Sequence, residues 1–168
     1  SRQHGQANMP STYKIVLGVI GAEQQTVGNC VMAQVLTGHG FDVENIGCCG
    51  SRTDLVRAAI ETGADAILVS CADGVAETEC KSLRETCAAN GVSDVLLYLG
   101  GGFLAAKGAW DEVEALFRAN GFDRVCPPRT NVSRIAAKLR DDIDLRRPGA
   151  HLYGAGAFGV APAVANYD

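Results

Sequence analysis

The polar residues whose types and spacing suit chemistry crowd into one short loop. Residues 14–29 read KIVLGVIGAEQQTVGN. An apolar run closes at Gly21, and a helical pattern starts near Thr26 to Gly28. Between them stand a carboxylate (Glu23), two amides (Gln24 and Gln25) and a hydroxyl (Thr26). Such groups give and take hydrogen bonds, and they sit where α/β sheets receive ligands, at the carboxyl end of a strand. The Gln25 amide is a poor transition-metal ligand, because its oxygen is a hard, weak donor. Gly21 to Gly28 is no P-loop, having the wrong spacing and no lysine.

Other candidates carry less. Gly154 to Gly159 spells G-x-G-x-x-G, but no strand precedes it and Pro162 stands where its helix would be. His4, His39 and His151 have no companion at ligand spacing and read as surface residues. Glu77, Glu79 and Glu85 share a helical pattern with Lys81 and Arg84, which reads as a solvated face. Arg146-Arg147 reads as a solvated pair before Pro148. The seven cysteines form no C-x-x-C pair and mostly fall inside apolar elements. They are expected to be reduced thiols of a cytoplasmic protein, with no disulfide and no cysteine-bound metal.

The elements that position the loop follow from periodicity. Apolar runs at 14–21, 42–47, 65–71, 94–100 and 123–127 alternate with amphipathic segments starting near Val27, Ser51, Val75, Ala109 and Asn131. Ser51 with Asp54 suits an N-cap and acidic first turn; Asn90-Gly91, Asn120-Gly121 and Gly38-His39-Gly40 suit helix stops. The first, third and fourth runs are nearly continuously apolar, as strands of a parallel sheet covered on both faces must be. Right-handed crossovers then predict a doubly wound, five-stranded parallel α/β sheet of flavodoxin-like (Rossmann-like) order. Its strand ends gather 21–25, 70–74 and 100–103. Residues 1–13 read as a flexible leader, 14–142 as the domain, and the Gly-, Ala- and Pro-rich 143–168 as an extended tail. A net charge of −4 with mixed signs argues against nucleic acid or an anionic membrane as partner. No apolar run approaches the roughly 20 residues of a membrane span.

Residues 14–29 together with GFDVENIG, AAIETGADAILVS, LLYLGG and GFDRVCPP resemble successive blocks of the small, cobalamin-binding (sigma) subunit of glutamate mutase, also called methylaspartate mutase. The resemblance covers residues 14–142. It implies a cobalamin-binding domain that holds adenosylcobalamin and works with a separate large, barrel-type catalytic subunit. The complex would be an isomerase rearranging an amino-acid carbon skeleton, with no catalytic residue on this chain. By position, the cofactor contacts would be Ala22, Glu23, Gln24, Gln25, Thr26 and Gly28 in the first loop. Ser70, Cys71 and Ala72 would follow at the third strand end, and Gly100, Gly101, Gly102 and Phe103 at the fourth.

The loop departs from the family pattern. Glu23 stands where the motif has Asp, and Gln25 where it has the cobalt-ligating His. No protein metal ligand is therefore expected, and the carboxylate that would orient a ligand ring has none to orient. Ala72 is smaller than the family's residue and Asp73 adds a charge. A rival expectation is a scaffold or regulatory subunit that no longer binds cobalamin; another is a flavodoxin-like domain repurposed for a different small ligand.

Overall fold

The computed structural model describes residues 13–21, 26–49, 51–71, 74–100, 109–127 and 130–146. Five strands form one parallel sheet in the order β2-β1-β3-β4-β5. They are β1 (Tyr13–Ile20), β2 (Phe41–Cys49), β3 (Ala66–Cys71), β4 (Leu96–Gly100) and β5 (Arg124–Val125). The helices among the described residues are α1 (Thr26–Gly38), α2 (Arg52–Thr62), α3 (Gly74–Lys81), α4 (Leu83–Ala89), α5 (Trp110–Ala119) and α6 (Val132–Arg146). None is long and apolar enough to cross a membrane.

Alternation along the strands sends side chains to two cores. Ile15, Leu17, Leu68, Leu96 and Tyr98 meet Leu36 of α1 and Ile135, Leu139 and Ile143 of α6. Val16, Ile67, Val69, Leu97 and Leu99 meet Leu55 of α2, Leu83 of α4 and Phe117 of α5. Two-sided burial explains why β1, β3 and β4 read as unbroken apolar runs. β2 is an edge strand and carries a bulge: Leu17 pairs with Asn45 but Gly18 with Gly47, so Ile46 is the extra residue. Ile46 leans over Gly18, where a Cβ would lie 3.0 Å from its Cγ1 and 2.9 Å from Leu55 Cδ2.

Three details differ from the sequence reading. The segment from Val75 is two helices, broken at Ser82, whose N–H bonds the Glu79 carbonyl three residues back. Cys80, Leu83 and Cys87 stay buried across the break, so the apolar stripe conceals it. Helix α6 runs four residues past Asp142, because Ile143 continues its buried stripe. Finally, Arg84 and Glu79 do not line a solvated face, and Arg146 is exposed as expected but engaged. Glu79 takes hydrogen bonds from the backbone and guanidinium of Arg52, each 2.9 Å. Arg84 donates to the carbonyls of Gly121 (3.1 Å), Ser93 (2.8 Å) and Val95 (2.8 Å) and to Asp123 (2.8 Å). Arg146 reaches the Asp94 carbonyl and the other Asp123 oxygen. These carbonyls sit at turns where no ladder partner satisfies them, and long guanidinium arms supply the donors. Gly121 is required twice over: its φ is 100°, and a Cβ there would lie 2.6 Å from Arg84 Cβ.

Candidate functional site

Strand register assembles the site. Ile20 pairs with Cys71, and Ser70 with Gly100, so β1, β3 and β4 end side by side. The loops leaving them therefore open from one sheet edge, the edge that binds ligands in open α/β folds. Of the residues singled out from the sequence, Ser70, Cys71, Gly100 and Gly28 are described, as is the backbone of Thr26, which opens α1. Ala22, Glu23, Gln24, Gln25, Ala72, Gly101, Gly102 and Phe103 lie outside the described residues.

Ser70 and Gly100 are brought together. Both line a cavity of about 30 Å³ between the sheet and helices α1 and α6, closed by Leu17, Met32, Tyr98 and Cys126. That volume suits about one water-sized body, so it marks a seam between packed layers. Cys71 does not join them: it is fully buried in the opposite core. A Cβ built on Gly100 or Gly28 meets nothing within 4 Å. Among the described residues nothing packs against either position, and neither glycine has positive φ. Backbone left bare at a ligand-binding edge is a place for close approach from outside.

The first turn of α1 adds an acceptor. Asn29 is 4% exposed and donates its Nδ2 to Asn45 Oδ1 at 2.5 Å. Asn45 Oδ1 also receives the Gly47 N–H (2.9 Å), tying the turn to the β2 bulge. The Asn29 Oδ1 has no hydrogen-bond partner among the described residues, and an unmet buried carbonyl oxygen is uncommon.

Beneath the seam lies a polar network the sequence reading missed. Tyr98 donates to Asp142 Oδ2 at 2.5 Å. Arg124 grips the same carboxylate with Nε (2.8 Å) and Nη2 (3.1 Å). Burial and the Asp142 bond push the Tyr98 hydroxyl well above its ordinary range. The bond to Asp142 likewise holds Arg124 firmly charged. Burial raises the neighbouring Cys126 thiol to about 11, opposed by the charges of Arg124 and Lys138. One signal was legible: Asp142 falls on the helical stripe of Ile135 and Leu139, where a carboxylate must have a partner. Among the described residues no three His, Cys, Asp or Glu side chains converge as a metal site.

Known proteins share this architecture and this sequence. Residues 13–117 match the family described as B12 binding domain. A glutamate mutase sigma subunit of Carboxydothermus hydrogenoformans is 44% identical over 131 residues, 78% of this chain and 96% of that protein. One from Fusobacterium nucleatum is 40% identical over 132 residues, 79% of this chain and 97% of that protein. Among solved structures, a cobalamin-binding protein from Desulfitobacterium hafniense superposes with a TM-score of 0.62 at 18% identity. That alignment covers 77% of this chain and 58% of that one, and it bears on the fold alone. With identity of this level running almost the whole length of its relatives, the chain belongs to the B12-binding domain family and, within it, to the glutamate mutase sigma subunits.

Proposed function

We propose that this chain holds adenosylcobalamin at the open edge of β1, β3 and β4, and presents it to a separate large, barrel-type subunit in the cytoplasm. The cofactor, when bound, supplies a cobalt–carbon bond whose homolysis starts a 1,2-rearrangement of an amino-acid carbon skeleton. The single observation carrying this reading is the pairing of Ser70 with bare Gly100 at a sheet-helix seam, in a chain of this family. Gly100 and Gly28 admit a flat macrocycle or its tail close to the backbone. Ser70 offers a hydroxyl at the seam mouth, and Asn29 Oδ1 offers an acceptor to an amide donor. The cavity is smaller than an aromatic base, so seating one requires Met32 of α1 to move away from Cys126 and Ile135 of α6. Ala22, Glu23, Gln24, Gln25 and Thr26 would border the cofactor on one side. Ala72, Gly101, Gly102 and Phe103 would border it on the other, with Cys71 acting only as packing behind the strand end. Gln25 would leave the lower cobalt position to water or to the cofactor's own base, since an amide oxygen competes poorly there.

The test is reconstitution with adenosylcobalamin, desalting and an absorbance spectrum. The native chain should retain the corrinoid without a protein nitrogen on cobalt. Gly100→Val should weaken retention at least about tenfold, equivalent to 1.4 kcal/mol, while leaving the melting temperature unchanged. Gln25→His with Glu23→Asp should tighten it. Absence of corrinoid from both the native chain and the double variant would overturn the proposal. A nitrogen-ligated spectrum from the native chain would overturn the role given to Gln25.

A further inference from the structure

We propose that a second cleft, between α5 and α6 beyond the β5 edge, binds a small phosphorylated molecule with an apolar body. This cleft measures about 460 Å³, within the range of small-molecule sites. Its rim carries Arg118 from α5 and Arg134 and Lys138 from α6, against the single carboxylate Glu114. Glu114 stands 4.0 Å from Arg118. Arg134 and Lys138 pair with no carboxylate among the described residues. Arg124, at the base of the cleft, is engaged by Asp142. Arg134 and Lys138 thus leave positive charge uncompensated, among the described residues, in one concavity of a chain whose net charge is −4. Arg134 and Lys138 lie four residues apart on one helix face, an arrangement of like charges that is unfavourable without a counter-charge.

The floor has the opposite character. It is built from Val125, Cys126 and Ile135, and Val125 and Ile135 are 5% and 4% exposed. Lys138, though exposed, lines the same cleft as Cys126, and its charge opposes the burial that raises the Cys126 thiol. A desolvated apolar floor under a cationic rim selects an anion that carries a non-polar portion, and guanidinium and ammonium groups suit phosphate oxygens. Cys126 and Ile135 also line the Ser70–Gly100 cavity, so the two openings meet at one wall.

Phosphate of this kind has two sources, the phosphodiester of a corrinoid nucleotide tail or a separate phosphorylated metabolite. The proposal itself stands on the cleft alone and is tested in the cobalamin-free full chain. Failure to bind cobalamin therefore leaves it intact. Phenyl phosphate is titrated calorimetrically at low salt into the native chain and into Arg134→Glu/Lys138→Glu. Both replaced side chains are exposed, and a milder Arg134→Gln/Lys138→Gln pair repeats the test. Saturable binding is expected, weakened about tenfold or more in the charge-reversed chain and reduced as salt screens the rim. No saturable heat at millimolar phenyl phosphate, or equal affinity in the native and reversed chains, would overturn the proposal. Blockage by cobalamin but not by tail-less cobinamide would assign the occupant to the cofactor's phosphodiester. Blockage by neither would assign it to a separate metabolite, and either result supports the site.

Discussion

Replacing Asp142 with alanine should destabilise the domain far more than its single charge suggests. The carboxylate accepts three hydrogen bonds, one from Tyr98 and two from Arg124. Side-chain exposure is 14% for Arg124 and 10% for Asp142, and Tyr98 is 2% exposed. The variant takes from a part-buried guanidinium and a buried phenol the carboxylate that both of them bond. Breaking a buried pair from one side costs about 3–5 kcal/mol, mostly the desolvation of the abandoned charge. Against a typical domain stability of about 5–15 kcal/mol, that is a large share. With a urea slope near 2 kcal/mol per molar, the midpoint should fall by about 2 M at unchanged slope. Tyr98→Phe removes one donor and leaves the Arg124–Asp142 pair whole, so its cost should stay near 1 kcal/mol. Urea unfolding followed by far-ultraviolet circular dichroism reads both, and the double variant closes the cycle. The reasoning fails if Asp142→Ala loses less than about 1 kcal/mol, or if the two substitutions are additive.

Gly18→Ala should cost about 1–3 kcal/mol by overpacking, since its Cβ would press on Leu55 and Ile46; a melting temperature equal to the native one would show that the β2 bulge yields freely. Alkaline stability should reflect Cys126, whose thiol is raised from 9.0 to about 11 in the folded state. A raised value means the folded chain keeps its proton longer than the unfolded one. The contribution is therefore full below pH 9 and lost as pH climbs towards 11, about 3 kcal/mol over the interval. Cys126→Ala should flatten the fall in urea midpoint between pH 8 and pH 10.5, and parallel profiles would contradict this. Cys87 and Tyr98, raised by burial as well, supply the decline that remains.

The sheet was legible because its signal is local. Unbroken apolar strands and glycine-bearing helix ends act within a few residues; with right-handed crossovers they imply a doubly wound sheet, and five short strands favour its flavodoxin-like order. The strand ends at Ser70 and Gly100 followed directly. What escaped depends on pairs distant in sequence. Tyr98 and Asp142 are 44 residues apart, Arg84 and Asp123 39 apart; no spacing rule joins them until α4, α6 and β5 are in place. Arg84 looked solvated because the carbonyls it serves belong to other turns. The β5 run seemed five residues long, yet only Arg124 and Val125 pair with β4, because Pro127 has no N–H to continue the ladder. Cys71 was placed by position at the cofactor, but strand alternation turns it to the far core.

The two sheet margins differ in a way that bears on how this chain behaves when crowded. A parallel sheet exposes a row of unpaired backbone groups at each side, a ready template for a strand from another molecule. On one side the sheet stops at a two-residue strand, too short to recruit a neighbour. On the other, β2 is nine residues long, long enough to be hazardous. There the bulge at Ile46 interrupts regular pairing, and the edge carries charge on the exposed Glu44 and on Asp42, which pairs with Lys14. The irregularity beside Asn45 thus guards against fibre-like stacking as well as anchoring α1. Straightening β2 by deleting Ile46 would be expected to raise the tendency of the chain to aggregate.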